Sequence, residues 1–231
     1  MNHMPSGAIV ARLIDEAMAS MGLSSYNDLR WAFASGSSYT SKDDAQEFTS
    51  GTGAVAPYVA TAAPGLRRFS VTGVGVGLSR ALAGNLTGGW TSTTQPCFVK
   101  SRFARSGTLA AGSDQHVGFQ NSPFDHGVGI GVFQSVSAVN FVVVKSASAA
   151  YTGVDTGIAI NTNQNEFTLY RNVGGSWFWR INSGALTSMT TTGQPTLGNE
   201  GYGHIHVTNA AAPTALQLDL DYCFWAGRRA P

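Results

Sequence analysis

The sequence predicts an all-β fold, an antiparallel jelly-roll β-sandwich with a short N-terminal α-helical arm. Period-two alternation of apolar and polar residues dominates from about residue 67 onward, as half-buried strands require. Turns rich in Gly, Asn, Ser and Pro separate these segments at the spacing that sandwiches use. A helical period occurs only near the N-terminus. Because 231 residues suffice for one sizeable core, we expect a single main domain.

The helical segment extends from Ser6, a suitable N-cap, to Gly22, a suitable residue for ending a helix. About four turns of helix are marginal alone in water, so the apolar stripe must lie on something. It either covers its own sandwich as a lid or forms an arm that docks on a neighbouring subunit. We adopt the arm, residues 1–28, and assign residues 29–231 to the sandwich. The predicted arm or oligomer contacts are Ile9, Val10, Leu13, Ile14, Met18 and Met21.

The sandwich is expected to begin with a short strand at Leu29, followed by a loop-like stretch, 34–66, rich in Gly, Ser, Thr and Pro. The later strands are predicted in the segments FSVTGVGVGLS, PCFVKSRFA, QHVGFQ, GVGIGVF, NFVVVKSA, GIAIN, EFTLYRNV, SWFWRIN, GHIHVTN and LQLDLDYCFW.

The last of these segments alternates most regularly and is expected to close a sheet. Exposing its apolar face would cost roughly 1.5–3 kcal/mol for each large side chain. Strict alternation predicts Leu216, Leu218, Leu220, Tyr222 and Phe224 on the buried face, and Gln217, Asp219, Asp221, Cys223 and Trp225 on the other.

Composition restricts the classes of function. Charged residues make up only 12% of the chain and the formal net charge is +1, so no basic field for nucleic acid is present. No apolar run has the length of a membrane helix and no secretory signal is recognisable, so we expect neither a membrane partner nor Sec export. A polar surface with so few charges suits proteins that pack against copies of themselves.

Enzymatic chemistry finds few candidates. Hydrolysis of glycosides needs two carboxylates across the scissile bond, whereas the nearest pair at strand spacing, Asp219 and Asp221, is expected on a solvated face. No Gly-x-Ser-x-Gly elbow and no phosphate-binding loop occur. We predict no catalytic residue, no cofactor and no enzyme.

The sequence offers few candidates for a metal site or a disulfide. His204 and His206 lie two apart on one strand, the spacing of two imidazole ligands, but His116 and His126 could add a third ligand only by folding nearby. No metal is predicted. Cys97 and Cys223 are expected to be free thiols on strands, and a disulfide between them stays open.

Aromatic side chains offer one alternative to a purely structural role. Trp177 and Trp179 share a strand face, as core residues or as a platform for sugars. If rings of this kind are exposed, they could stack on host glycan. The candidates are Trp90, Trp177, Trp179 and Trp225.

The order of PGLRRFSVTGVGVG, CFVKSRFA, HVGFQNS, GVGIGVFQSV, NFVVVKSA and LQLDLDYCFW resembles the concanavalin A-like, laminin-G-type jelly-roll domains of tailed-bacteriophage structural proteins. The resemblance covers roughly residues 29–228. It implies a virion component without an active site, located on the particle surface and assembled in the host cytoplasm. The positions that match the family's features are Pro64, Gly65, Gly118, Phe119, Asp221 and Tyr222.

On this basis we expect a non-enzymatic virion protein, a surface decoration, cement-type or head-fibre component docked through its arm. A single knob with a short arm has no shaft for reaching a host receptor, which favours decoration. The expected partners are major capsid or tail proteins and two further copies in a homotrimer. The alternative is a tail-fibre or appendage module that recognises host glycan.

Overall fold

The computed structural model describes residues 6–35, 38–42, 46–50, 54–58, 66–71, 77–84, 91–92, 95–107, 113–120, 127–147, 150–189, 200–209 and 216–228. Within them lie an α-helix, a 3-10 turn and seventeen strands. The elements are α1 (Ser6–Met21), the turn Tyr26–Asp28, β1 (Leu29–Ser35), β2 (Ser38–Lys42), β3 (Gln46–Ser50), β4 (Ala54–Tyr58), β5 (Leu66–Val71), β6 (Gly77–Gly84), β7 (Thr91–Ser92), β8 (Cys97–Ser106), β9 (Asp114–Gln120), β10 (Gly127–Phe133), β11 (Asn140–Ala147), β12 (Ala150–Ala159), β13 (Asn165–Arg171), β14 (Trp177–Ile181), β15 (Thr187–Ser188), β16 (Glu200–Asn209) and β17 (Leu216–Arg228).

The strands form two antiparallel sheets, which confirms the predicted sandwich. Sheet A has the order β15-β14-β13-β8-β17-β1-β2, with β5 also paired to β17 and β4 paired to β5. Sheet B has the order β12-β11-β10-β9-β16-β6-β3, with β7 paired to β16. The apolar rows of the two inner faces meet between the sheets. Burial of these rows is the main stabilising contribution of the fold.

Large aromatic side chains occupy the centre of this inner core. Phe103 and Phe167 stack with ring centroids 4.4 Å apart, and Phe141 meets Phe167 edge-on at 5.1 Å. The valines of β10 and the leucines of β17 fill the space beside them. The predicted hairpin of β13 and β14 contributes Phe167, Leu169, Trp177, Trp179 and Ile181 to the same cluster.

The prediction that 34–66 is a loop was wrong, because β2, β3 and β4 lie within it. Each of these strands has five residues and pairs with a neighbour, β2 with β1, β3 with β6 and β4 with β5. Such short strands form through the ladder hydrogen bonds that a neighbour offers. Their sequences, SYTSK, QEFTS and AVAPY, do not alternate apolar with polar residues and so do not reveal the strands.

Strict alternation along β17 was also wrong, since the strand changes face at a β-bulge. The register to β8 shifts between Leu220 and Tyr222, so Asp221 is an extra residue without a partner on β8. Before the bulge the leucines face the inner core, and after it Cys223 and Trp225 do so. Tyr222 and Phe224 therefore point to the outer face of sheet A. The Ser101 hydroxyl donates a hydrogen bond to the carbonyl oxygen of Tyr222 at 3.1 Å and so holds the bulge.

Helix α1 lies on that outer face and forms a third layer. It begins at Ser6 and ends at Met21, and Gly22 follows with a φ of +72°. The Leu23 amide donates to the Met18 carbonyl at 2.9 Å, as in a glycine-terminated helix. No helix among the described residues is long and apolar enough to cross a membrane.

Candidate functional site

The apolar stripe of α1 is used within the chain itself. Leu13, Ile14 and Met21 are buried against the aromatic outer face of sheet A, and Ile9, Val10 and Met18 are half-buried beside them. The expectation that these residues dock on another subunit is corrected accordingly. The helix covers Phe98 and Phe224, which its absence would expose to water.

An ion-pair network links the polar side of α1 to sheet A. The Lys100 ammonium lies 2.8 Å from a carboxylate oxygen of Glu16 and 3.0 Å from one of Glu166. Arg180 approaches Glu16 at 3.2 Å, and the Tyr222 hydroxyl donates to Glu166 at 2.6 Å. Burial opposes ionisation of Glu166, but the Tyr222 hydrogen bond and the Lys100 charge hold its pKa below the usual value. Burial and the bond to Glu166 raise the pKa of Tyr222.

The tryptophans proposed for glycan stacking are core residues where the structure describes them. Trp177, Trp179 and Trp225 are 2%, 6% and 1% exposed and belong to the inner cluster, so none presents an open ring face. Trp225 was predicted on the outer face, and the bulge turned it inward. A Cβ on Gly203 of β16 would lie 2.5 Å from the Trp225 ring, which shows how closely the two sheets approach there. Trp90 lies outside the described residues.

The acidic pair near the C-terminus does not form a catalytic dyad. Asp219 makes two hydrogen bonds with Arg68, at 2.6 and 2.7 Å, and Asp221 lies 3.6 Å from Arg102. The arginines belong to different neighbours of β17, namely β5 and β8. Each aspartate is therefore held by a separate cation.

The two cysteines cannot form a disulfide in this fold. Both are buried free thiols, and in the register of β8 with β17 Cys223 lies opposite Ser101 while Cys97 lies opposite Gly227. Four residues of strand separate the two positions, about 13 Å, whereas a disulfide needs Cα atoms within about 7 Å. Burial raises the pKa of Cys97 to about 12 and that of Cys223 well above its usual value, so neither is a reactive thiolate.

His204 and His206 lie on the outer face of sheet B together with His116. Ring centroids are 4.8 Å apart for His116 and His204, and 4.7 Å for His116 and His206. Within the described residues, no three His, Cys, Asp or Glu side chains are arranged to hold a metal ion. His126 lies outside the described residues.

An aromatic pair that sequence reasoning missed lies at the turn before β1. Tyr26 is 44% exposed, and it is the aromatic member of the exposed large apolar residues described. The half-buried Trp31 donates from its indole nitrogen to the Tyr26 hydroxyl at 3.2 Å. Asn27 and Asp28, both exposed, follow on the same turn, and the Ser25 hydroxyl accepts from the Asn27 amide. Only the 3-10 turn brings residues 26 and 31 together, so no sequence period could indicate the pair.

Comparison with known proteins shows the fold. No family model and no curated protein matches the chain. A protein of unknown function from Shewanella oneidensis MR-1 superposes with a TM-score of 0.65 at 12% identity, over 99% of this chain and 97% of that one. A Lotus tetragonolobus seed lectin gives a TM-score of 0.52 at 13% identity, over 82% and 96% of the two chains.

A further neighbour is a chain of botulinum neurotoxin type C, whose cell entry depends on interaction with two ganglioside molecules. It gives a TM-score of 0.56 at 10% identity, over 93% of this chain and 50% of that one. At such identities the similarity establishes a shared jelly-roll sandwich fold and nothing more. Function must therefore be argued from the side chains of this chain.

Proposed function

We propose that the protein is a non-enzymatic recognition module that binds carbohydrate. The observation that carries this proposal is the exposed Tyr26, joined to the indole of Trp31 on the turn before β1. The sandwich fold that the chain shares with a seed lectin supports the same class of function.

The chemistry of the turn suits a neutral sugar. An aromatic ring offers its face to the apolar C–H side of a pyranose, and exposed amide and carboxylate groups bind the hydroxyls at its edge. Tyr26 supplies the ring, and Asn27 and Asp28 supply the polar groups. The hydrogen bonds from Trp31 to Tyr26 and from Asn27 to Ser25 order the turn before any ligand arrives, which lowers the entropic cost of binding.

The described carboxylates of sheet A and α1 are not placed for catalysis. Glycoside hydrolysis needs one free acid and one free base or nucleophile facing the same bond. Glu16, Glu166, Asp219 and Asp221 are instead held by lysine, arginine or tyrosine partners. Such a set suits stability better than proton transfer.

The test is binding of the full chain to immobilised glycans, with soluble oligosaccharides for affinities. Tyr26→Ala should weaken binding about tenfold or more, equal to about 1.4 kcal/mol. Leu186→Ala, at an exposed apolar residue away from the turn, is the matched control and should bind as the parent does. Equal affinity of Tyr26→Ala and parent would reject the site, and release of reducing sugar would reject a non-enzymatic role.

A second candidate is a surface component of a phage particle, favoured by the resemblance noted above and by a sequence in which only 12% of the residues are charged. In this role a homotrimer would dock on capsid or tail proteins through surfaces other than the stripe of α1. Sedimentation analysis gives the oligomeric state, and antibody labelling of purified particles gives the location. Particles that lack the chain would reject this candidate and leave the carbohydrate proposal standing.

A further inference from the structure

The outer face of sheet B carries a compact cluster of imidazoles, which we call the histidine cluster: His116, His204 and His206. The His116 ring stacks on Phe133 with centroids 4.3 Å apart and planes at 26°. The His206 ring also stacks on His116, at 4.7 Å and 18°, and His204 meets His116 edge-on at 4.8 Å and 77°. His116 and His204 are only 3% and 1% exposed.

The neighbouring strand is shaped to accept the His116 ring. Gly129 of β10 pairs with Gly118 of β9, and a Cβ at Gly129 would lie 2.9 Å from the Cδ2 atom of His116. A side chain there would collide with the ring. The glycine thus lets His116 lie flat across β10 and stack on Phe133.

In the described ranges, few groups around His116 could compensate a positive charge. Its own strand contributes Asp114, β16 contributes His204 and His206, and β10 contributes only glycines and Phe133. In the register of β6 with β16, Arg80 lies opposite His206. Within the part of the chain that the structure describes, the buried Nδ1 atom of His116 has no hydrogen-bond partner. Among the described side chains on this face, an imidazolium at His116 would meet two other imidazoles and one carboxyl, that of Asp114.

Asp114 does not supply that counter-charge in acid. Burial raises its pKa to about 7, so the carboxyl is protonated below that pH. Burial also lowers the pKa of His116 well below 6.5, and the charges of His206 and His204 lower it further. The folded chain therefore resists the proton that the unfolded chain accepts near pH 6.5.

We propose that the histidine cluster is an acid-sensitive switch: proton uptake by His116 expels its ring from the space over Gly129 and uncovers Phe133 and the adjoining valines of sheet B. The valines are Val142 and Val144, which pack with Phe133 on that face. Acid would thus expose apolar surface on sheet B while sheet A stays closed. The proposal is independent of the ligand at Tyr26.

The direction in which stability changes with pH follows from the linkage between proton binding and folding. Because folding lowers the pKa of His116, this residue does not reduce the free energy of unfolding above about pH 6.5. The free energy of unfolding falls as the pH drops below that value. Asp114, whose pKa is raised, acts in the opposite sense, because its contribution is present in acid and lost as the pH rises towards 7. Asp114→Asn removes this opposing contribution, so the variant should lose more stability in acid than the parent does.

The experiment measures hydrogen exchange of the full chain at pH 7.5 and pH 5, corrected for the intrinsic pH dependence of exchange. Protection in peptides from 114–120 and 127–133 should fall about tenfold or more at pH 5, and protection in 97–106 and 165–171 should not. His116→Phe keeps a flat ring against Phe133 and cannot take up a proton, so it should abolish the acid response. His3→Gln, at a histidine outside the cluster, should keep it.

An unchanged acid response in His116→Phe, or no response in the parent chain, would overturn the proposal. If His116→Phe does not fold, Asp114→Asn and an NMR titration of the imidazoles decide. A steeper acid loss in Asp114→Asn, with one imidazole that stays neutral well below pH 6.5, supports the switch. Ordinary titration of all five histidines near pH 6.5 overturns it.

Discussion

The outer faces of the two sheets bury polar groups in different ways. On sheet A, Lys100 is almost fully buried under α1, but two carboxylates lie within 3.0 Å of its ammonium. On sheet B, His116 is equally buried among other imidazoles and a carboxyl that is neutral in acid. A buried charge is tolerated where a partner is built beside it, and elsewhere the group must stay neutral. The stability of sheet A should therefore depend on the carboxylate partners of Lys100, and the stability of sheet B on keeping His116 unprotonated.

The largest expected effect comes from removing residues 1–25, and it tests whether α1 is part of the fold. Leu13, Ile14 and Met21 are buried on sheet A, and each contributes roughly 1.5–3 kcal/mol. Their sum is comparable with the whole stability of a typical domain, about 5–15 kcal/mol. The truncated chain should aggregate or melt far below the parent in thermal unfolding and size-exclusion chromatography.

A well-folded truncated chain with an unchanged melting temperature would contradict this prediction. The helix would then be a detachable arm, as the sequence alone suggested. Burial of Lys100 under α1 would then not contribute to the stability of sheet A.

The next effect is that of Lys100→Met, which leaves Glu16 and Glu166 under the helix without their shared cation. Breaking a fully buried pair costs about 3–5 kcal/mol. Because both glutamates keep about a quarter to a third of their side-chain exposure, we expect about 2 kcal/mol in urea unfolding at pH 7. The loss should shrink at a pH below the lowered pKa of Glu166, where that carboxylate becomes protonated. An equal loss at both pH values would mean that packing of the lysine stem, not its charge, is what matters.

Gly129→Ala tests the packing of His116 on the outer face of sheet B. Its Cβ would collide with the His116 ring, and overpacking of this kind costs about 1–3 kcal/mol. Gly7→Ala is the matched control, because nothing lies within 4 Å of a Cβ there and alanine favours a helix. Thermal unfolding should therefore show a lower melting temperature for the first variant and an equal or higher one for the second. A neutral Gly129→Ala would show that the ring can move aside freely.

The smallest effect belongs to Arg102→Ala. The Arg102–Asp221 pair is half-exposed with a separation of 3.6 Å, and exposed pairs are worth about 0–1 kcal/mol. Urea unfolding should register a change of about 0.5 kcal/mol that fades in high salt. A loss as large as that of Lys100→Met would show that burial does not separate the two kinds of pair.

Sequence reasoning succeeded where the signal was local. The helix begins at Ser6 and is followed by Gly22, as its capping residues indicated. The segment NFVVVKSA is β11, and the inward row of the β13–β14 hairpin matches its alternation. It failed at the five-residue strands within 34–66 and after Leu220, where one extra residue reversed the faces.

The candidate site was less accessible to sequence reasoning than the fold. The exposed aromatics predicted for sugar binding, Trp177, Trp179 and Trp225, were large rings that the core required. The Tyr26 and Trp31 pair depends on a 3-10 turn, and the histidine cluster depends on the register of β9 with β10 and β16. Exposure and cross-strand contact depend on how two elements pack together, so the sequence of a single segment does not reveal them.

The amino-acid sequence by itself determined that this chain forms one helix and many antiparallel strands, because period and capping are set by the backbone geometry of each segment. Tertiary structure alone decided where the helix lies, which way Trp225 points and that three imidazoles share one face of sheet B. Those outcomes depend on which apolar surfaces remain uncovered once the sheets have paired. The free energy of covering them belongs to the assembled layers and to no segment alone.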